Sequence, residues 1–536
     1  MLTLPLEPMD DRANPAFKNV AECTKWLNQL QLTNLQLAHS QLLIQINELN
    51  RFPMRAVERL NVLESLRETV AHVQADYAKK LIARPLLLSD SEYMVFISIV
   101  HLWQAMVMGY QRCLQDYLSG DKQIKQQGGL LCHRCLLYSG LEIFEHLRTG
   151  YEFNPNLWYQ LHNLYAFAEQ QALHQIEVMD ALNAEQSRTN CCNIYVKTLL
   201  ACDAHPAELT RSQLRLLDGW LTTWSMEIRL ARSFTVSKGD AQPLAVDLES
   251  TQGLQAARQV KDNEHIRYLA LVPLSKLLRV KIILLAQGTS SDKLGLGIQI
   301  HPDECVELLN FLHKCWCEVH SEPPRALRPK AQTAQVCYAP EQIWAQLMGK
   351  PYAQPHKSVD AMTRNTQESF GNVSDKAPAR YQCATLEDWL LESDSLLGAQ
   401  LVRDGLAGGR LSYSQLIAVR AGGAKDFVLA ATTWLKVTRT GKLQIGVNYF
   451  PGTPDPVYIR PAGLNQSAGN LYELAFWLPA LPAMNIPASL ILPRGWFEAE
   501  RVIEVRSRQS VQIAKLGISV ARGLDYERVS FMPVTL

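Results

Sequence analysis

Three arginines and one polar turn carry the chemistry legible in this chain. Arg325 and Arg328 lie in the proline-stiffened basic stretch Glu322-Pro323-Pro324-Arg325-Ala326-Leu327-Arg328-Pro329-Lys330, and Arg380 closes Lys376-Ala377-Pro378-Ala379-Arg380. The turn reads Ser393-Asp394-Ser395-Leu396-Leu397-Gly398. An arginine presents a planar fork that pairs bidentately with phosphate or with the O6/N7 edge of guanine, and it stacks on a base as lysine cannot. Ser393 and Ser395 can donate hydroxyl hydrogen bonds, and Gly398 lets the backbone turn where a Cβ would clash. Taken alone, the same residues also fit a plain loop between strands and a solvated basic connector.

Other reactive residue types form no constellation. Thirteen histidines are scattered, mostly through helical stretches, and no His-Glu-x-x-His, Gly-x-Ser-x-Gly or paired Asp-x-Asp pattern accompanies them. Cys132-His133-Arg134-Cys135 and Cys315-Trp316-Cys317 look like zinc fragments, but each falls inside a helical pattern and lacks a second Cys-x-x-Cys. Gly295-Leu296-Gly297 lacks the lysine and spacing of a phosphate loop. The expectation is therefore a non-enzyme with no catalytic residues, no metal and no cofactor.

The candidate residues must be held by strands. From Arg380 to Phe450 apolar residues recur at every second position, through Gln415–Arg420, Val428–Trp434 and Leu443–Phe450, with Gly-rich breaks at Gly408-Gly409, Gly422-Gly423 and Thr440-Gly441. Short antiparallel strands joined by hairpins, closing into a small barrel, are the expected result. Thr333–Tyr338 alternates in the same way just after the basic stretch.

The order of these pieces resembles a PilZ domain, the bacterial receptor module for cyclic di-GMP. Such a domain carries an Asp/Asn-x-Ser-x-x-Gly turn, matched here by Ser393 to Gly398, and a late Gly-Val-x-Phe-like strand, matched by Gly446-Val447-Asn448-Tyr449. Its Arg-x-x-x-Arg pair is approximated by Arg325-Ala326-Leu327-Arg328, one residue short, and by Lys376 to Arg380, with lysine in the first place. The resemblance implies cyclic di-GMP as ligand, met by Arg325, Arg328 and Arg380 through its phosphates and guanine edges, with Ser393, Ser395 and Gly398 shaping the turn beneath. It implies a signalling receptor that passes ligand state to a protein partner in surface attachment or motility. The alternative is a helical interaction scaffold whose barrel has lost its ligand.

Ahead of the barrel the period changes. From Ala16 to about Arg232 apolar residues recur at three- and four-residue spacings, predicting helices over Arg55–Leu81, from Ser89 with Glu92 as a capping box, and over Leu130–Arg148, Asn156–Leu182, Asn190–Cys202 and Leu209–Leu230. Trp158, Leu161 and Tyr165 resemble the first helix of a tetratricopeptide repeat, without a second copy. Strands at Phe234–Val236 and Leu244–Leu248 and helices at Ile266–Leu285 and Asp303–Cys317 follow.

The expected fold is α+β and multidomain: an all-α region over 1–232, a mixed α/β domain over 233–321, a PilZ-like antiparallel β-barrel over 322–460 with an insertion at 340–379, and a further β-rich subdomain over 461–536. At 536 residues the chain is too long for one core. With 53 basic against 52 acidic residues and a net charge of +1, it has no global field for a nucleic-acid polymer. The N-terminus lacks a signal-peptide pattern, and the apolar window from Tyr93 to Gly109 is interrupted by His101 and Gln104 and short for a membrane span. Twelve cysteines without such a signal fit a reducing compartment. The expectation is a cytoplasmic protein.

Overall fold

The computed structural model describes residues 2–82, 84–182, 188–237, 239–297, 300–318, 332–354, 386–404, 408–462, 471–508 and 510–534. These form two compact units, one over Met1–Arg84 and Leu88–Ser321, the other over Pro85–Leu87 and Glu322–Leu536.

The first unit is built on helices α1 (Val20–Leu27), α2 (Leu35–Arg51), α3 (Ala56–Ala78), α4 (Asp90–Leu118), α5 (Gly128–Thr149), α6 (Asn156–Gln170), α7 (Cys191–Asp203), α8 (Arg211–Trp224), α9 (Val272–Ala286) and α10 (Pro302–Cys317). Local chemistry sets their starts. Asn19, Asn34 and Asn190 accept from the third backbone N–H of α1, α2 and α7, and Ser89 with Glu92 and Thr210 with Gln213 make capping boxes on α4 and α8. Helix α4 is long and apolar enough by composition to cross a membrane, yet more than half of its apolar window is buried inside the unit. Trp158, Leu161 and Tyr165 of α6 are buried too, as core residues.

A charged cluster, buried except for part of Glu64, joins α3, α4 and α5. Arg134 donates through Nε and Nη2 to the two carboxylate oxygens of Glu64, both at 2.9 Å, while Tyr110 Oη donates to the same group at 2.7 Å. Arg67 donates to Asp180 at 2.6 Å and to Tyr138 Oη at 3.1 Å. Burial alone would raise the pKa of Glu64, but the Arg134 and Arg67 guanidinium groups outweigh it and hold it below the ordinary value. Asp180 follows strand β1 (Val178–Met179), which pairs with β2 (Arg188–Thr189), so the cluster ties that hairpin to the helices.

Three expected helices are shorter than the periodicity suggests, and the one expected over Leu209–Leu230 ends at Trp224, Leu230 lying in a short strand instead. The one expected over Asn156–Leu182 ends at Gln170, because Ala172 adopts a left-handed φ of 55°. The one expected over Ile266–Leu285 begins as a strand. That strand, β6 (Ile266–Leu269), lies between β3 (Leu230–Ala231) and β4 (Leu244–Asp247), with β5 (Gln255–Ala256) outermost. All four β6 residues are buried, which removes the alternation that would have marked it. Pro273 in the first turn then opens α9. Phe234–Val236, expected as a strand, is irregular.

The second unit contains two closed, six-stranded antiparallel barrels. The first is made of β7 (Gln332–Tyr338), β8 (Glu387–Asp394), β9 (Gly398–Arg403), β10 (Leu416–Ala421), β11 (Val428–Val437) and β12 (Leu443–Tyr449), closed in the order β10-β11-β12-β9-β8-β7. The second uses β13 (Asp455–Pro461), β14 (Glu473–Leu478), β15 (Ser489–Pro493), β16 (Val502–Arg506), β17 (Val511–Arg522) and β18 (Tyr526–Pro533), in the order β13-β14-β15-β18-β17-β16. Closure pairs every edge. Helix α11 (Pro340–Met348) buries Ile343 and Trp344 in an apolar cluster shared by both barrels, with Leu416 and Leu429 from one and Leu474, Phe476 and Ile491 from the other.

The molecule is thus α+β and multidomain, with a helical N-terminal half and a β-barrel at its C-terminus. Strand β13, placed by sequence with the first barrel up to residue 460, pairs with β14 and β16 of the second. The break falls earlier, at Pro451-Gly452-Thr453-Pro454, where Gly452 takes a φ of +92°. Within the expected insertion, α11 is part of the core and residues 355–385 lie outside the described residues.

Candidate ligand site on the first barrel

The polar turn joins β8 to β9. Ser395 Oγ donates to Gly398 O at 2.9 Å and accepts from the backbone N–H groups of Leu397 at 3.3 Å and Gly398 at 3.2 Å. That hydroxyl is therefore consumed in shaping the turn. Tyr449 of β12 anchors the turn from the side, its N–H donating to Leu397 O at 2.9 Å and its Oη to Asp394 at 3.3 Å. A Cβ on Gly398 would stand 2.1 Å from Val447 O, so only glycine permits this approach. Pinned in this way, Leu396 and Leu397 project outward at 96% and 71% exposure.

Strand register carries Ser393 into a row across the outer face of the barrel. Ser393 pairs with Gln400, Gln400 with Gly446, and Gly446 with Trp434, so the row crosses β8, β9, β12 and β11 in turn. The alternate row, Leu391, Leu401, Ile445 and Leu435, is buried in the interior. An irregularity between Leu391 and Ser393 leaves Glu392 as the extra residue. Its carboxylate accepts from Gln400 Nε2 at 2.6 Å and from Gln444 Nε2 at 3.5 Å. Gln400, Gln444 and Trp434 were not singled out by sequence reasoning. Alternation gives each residue a face, but the row exists only because β9 pairs with β12, some forty residues later, and nothing local signals that.

Arg325, Arg328 and Arg380 lie outside the described residues. Register nevertheless fixes where their stretches attach. Gln332, the first described residue after the basic stretch, pairs with Leu391, two positions from Ser393. Glu387, the first residue of β8, pairs with Val336 at the far end of the same ladder from the turn. Arg420, on β10, stacks over Phe427 at 4.5 Å and hydrogen-bonds to Gln335.

At that far end a cavity of about 730 Å³ opens beside Tyr338, Glu387, Trp389 and Arg403. Arg403, 5% exposed, pairs with Glu387 and donates to Gly409 O at 2.9 Å. Glu387 also accepts from Gly409 N at 2.6 Å, from Trp389 Nε1 at 3.2 Å and from Tyr338 Oη. Burial, followed by the Glu387 hydrogen bond, pushes the Tyr338 phenol up to about 12. Arg403 and Glu387 are thus engaged with each other and with donors and acceptors of the barrel itself, which gives this pair a structural role at the cavity wall.

Fold and site define a helical unit followed by a unit of two small barrels, one of them presenting a polar, aromatic outer face. Residues 21–233 match the family model described as the N-terminal domain of the cyclic-di-GMP receptor FimW, and residues 457–534 match that of the FimW C-terminal beta-barrel domain. Together these stretches take in more than half of the chain, and the chain belongs to the FimW family. A curated relative, the cyclic-di-GMP receptor FimW of Pseudomonas aeruginosa, is 20% identical over 533 residues, covering 90% of this chain and 85% of that protein. No solved structure matches. The family is thus FimW, where sequence reasoning named PilZ. The second barrel coincides with the matched C-terminal domain, and the first lies between the two matched stretches.

Proposed function

We propose that this chain is a cyclic di-GMP receptor, and that its first barrel, of PilZ-like order, holds the ligand. The observation that carries the reading is that FimW domain models match both ends of the chain, the relative that spans 85% of its own length in the match being itself named a cyclic-di-GMP receptor. The turn supports the first barrel as the place, because a glycine with no room for a Cβ and a serine spent on the local backbone hold its shape fixed beside Ser393. Arg328 and Arg325, attached at the turn end of β7, would supply the phosphate contacts, and Arg380 a further one. In this reading the protein acts in the cytoplasm without catalytic chemistry of its own. It reports the second-messenger level to a protein partner through the helical half, in surface attachment or motility.

The engagement of Ser395 Oγ by its own turn favours a second reading, an interaction scaffold whose barrel no longer takes ligand. Thermal unfolding of the full chain separates the two. A ligand that binds only the native state raises the unfolding temperature in proportion to the logarithm of its concentration. The receptor reading requires that rise with cyclic di-GMP. A transition that does not move at saturating ligand leaves the scaffold.

A further inference from the structure

The outer row of the first barrel holds a combination that the motif does not include. A Cβ on Gly446 would fall 2.0 Å from Trp434 Nε1, so the indole lies across that glycine. Trp434 is half-buried: one side of the ring rests on the sheet and the rest faces outward. Glu392 lies on β8, two strands from Gly446 and about 10 Å away along the sheet, but it is exposed and its carboxylate reaches across β9 to hold the amides of Gln400 and, on β12, Gln444 through their Nε2 atoms. Lys436 pairs with Gln444 in the next outward row, and Asn448 is exposed two residues beyond Gly446.

We propose that this surface takes a guanine base of the dinucleotide, stacked on Trp434 and read by Glu392. The inference rests on the receptor reading above. An indole face is a sequence-tolerant platform for a base. Selectivity then has to come from the edge. Guanine presents N1–H and N2–H side by side as donors and O6 as an acceptor, whereas adenine presents an acceptor at N1. An ionised carboxylate accepts at both oxygens and has lone pairs left beyond the two amide contacts. The amides it orients lie beside the position of O6. With no side chain at Gly446 the indole lies low against β12, which leaves its outer face open to a base that extends toward the Glu392 carboxylate. Lys436 places a cation on the same side for the phosphodiester.

Calorimetric titration of the full chain with cyclic di-GMP and, separately, cyclic di-AMP tests this. Glu392→Gln keeps the shape of the side chain and is expected to weaken cyclic di-GMP by about tenfold while narrowing its preference over cyclic di-AMP. Trp434→Ala is expected to weaken cyclic di-GMP by about tenfold or more. Trp434→Phe, with a smaller ring, should fall between, and it guards against a folding defect in the alanine variant. Asp426→Asn, in the exposed turn between β10 and β11, should bind as the unmodified chain does. If that chain binds cyclic di-GMP while Glu392→Gln and Trp434→Phe show unchanged affinity and preference, this site is overturned and the receptor reading stands. If the unmodified chain binds neither dinucleotide, both fall.

Discussion

Gly398 sits so close beneath Val447 that a Cβ would stand 2.1 Å from the Val447 carbonyl oxygen. The contact joins the start of β9 to β12, whose Asn448 pairs with Gly398. Gly398→Ala should therefore force the two strands apart and cost about 1–3 kcal/mol, as overpacking of a tight site does. Because the first barrel is one part of a larger unit, the sensitive readout is amide hydrogen exchange in β8, β9 and β12. Exchange unchanged in these strands would mean that the turn is looser than its geometry.

Arg403 and Glu387 make a second local test. Removing one partner of a buried ion pair leaves an uncompensated charge, and Arg403→Met is expected to cost about 3–5 kcal/mol. Three further donors, Tyr338 Oη, Trp389 Nε1 and Gly409 N, also depend on Glu387. Glu387→Leu should thus be worse than Arg403→Met in the same exchange measurement, and the reverse order would contradict a network centred on the carboxylate.

Stability of the helical unit should depend on pH through Glu142. Burial raises this carboxyl from its ordinary value of 4.5 to about 7, against the smaller opposing pull of Gln104. A folded pKa above the unfolded one stabilises fully below the unfolded value. That contribution is lost as pH rises between about 4.5 and about 7. Glu142→Gln, which keeps the acceptor for Gln104, should stabilise the unit by about 1–3 kcal/mol at pH values above this window. It should change little at the acid end. A thermal-melting series across the window checks it, and a pH-independent difference would point to packing instead.

The arginines can be ranked by where their stretches attach. Arg328 is four residues from Gln332, so at most about 14 Å of extended chain separates it from the strand end beside the turn. Arg328→Ala and Arg380→Ala are each expected to weaken cyclic di-GMP by about tenfold, with Arg328 the larger. Arg420→Ala should matter less, since Arg420 is engaged with Phe427 and Gln335. Equal, small losses for all three would place the ligand elsewhere.

Much of the fold was legible because period and caps agree: Ser89 with Glu92 announces α4, and the alternation in Val428–Trp434 and Leu443–Phe450 announces β11 and β12. The misreadings have physical causes. β6 is buried on both faces and shows no period, Ala172 stops a helix whose apolar spacing runs on, and β13 follows the first barrel too closely to be told from it. Ser393, Ser395 and Gly398 could be named because a turn is local. Trp434, Gln400 and Gln444 could not, because only the closed order of the barrel brings them to the same face as Glu392.

Everything proposed for the first barrel requires that this chain bind cyclic di-GMP. Isothermal titration of the folded full-length protein with cyclic di-GMP, with cyclic di-AMP as the control, tests it most directly. Saturable heat at a whole-number stoichiometry is expected for cyclic di-GMP, with a weaker response to the control. No heat beyond dilution from a protein that melts cooperatively would contradict it.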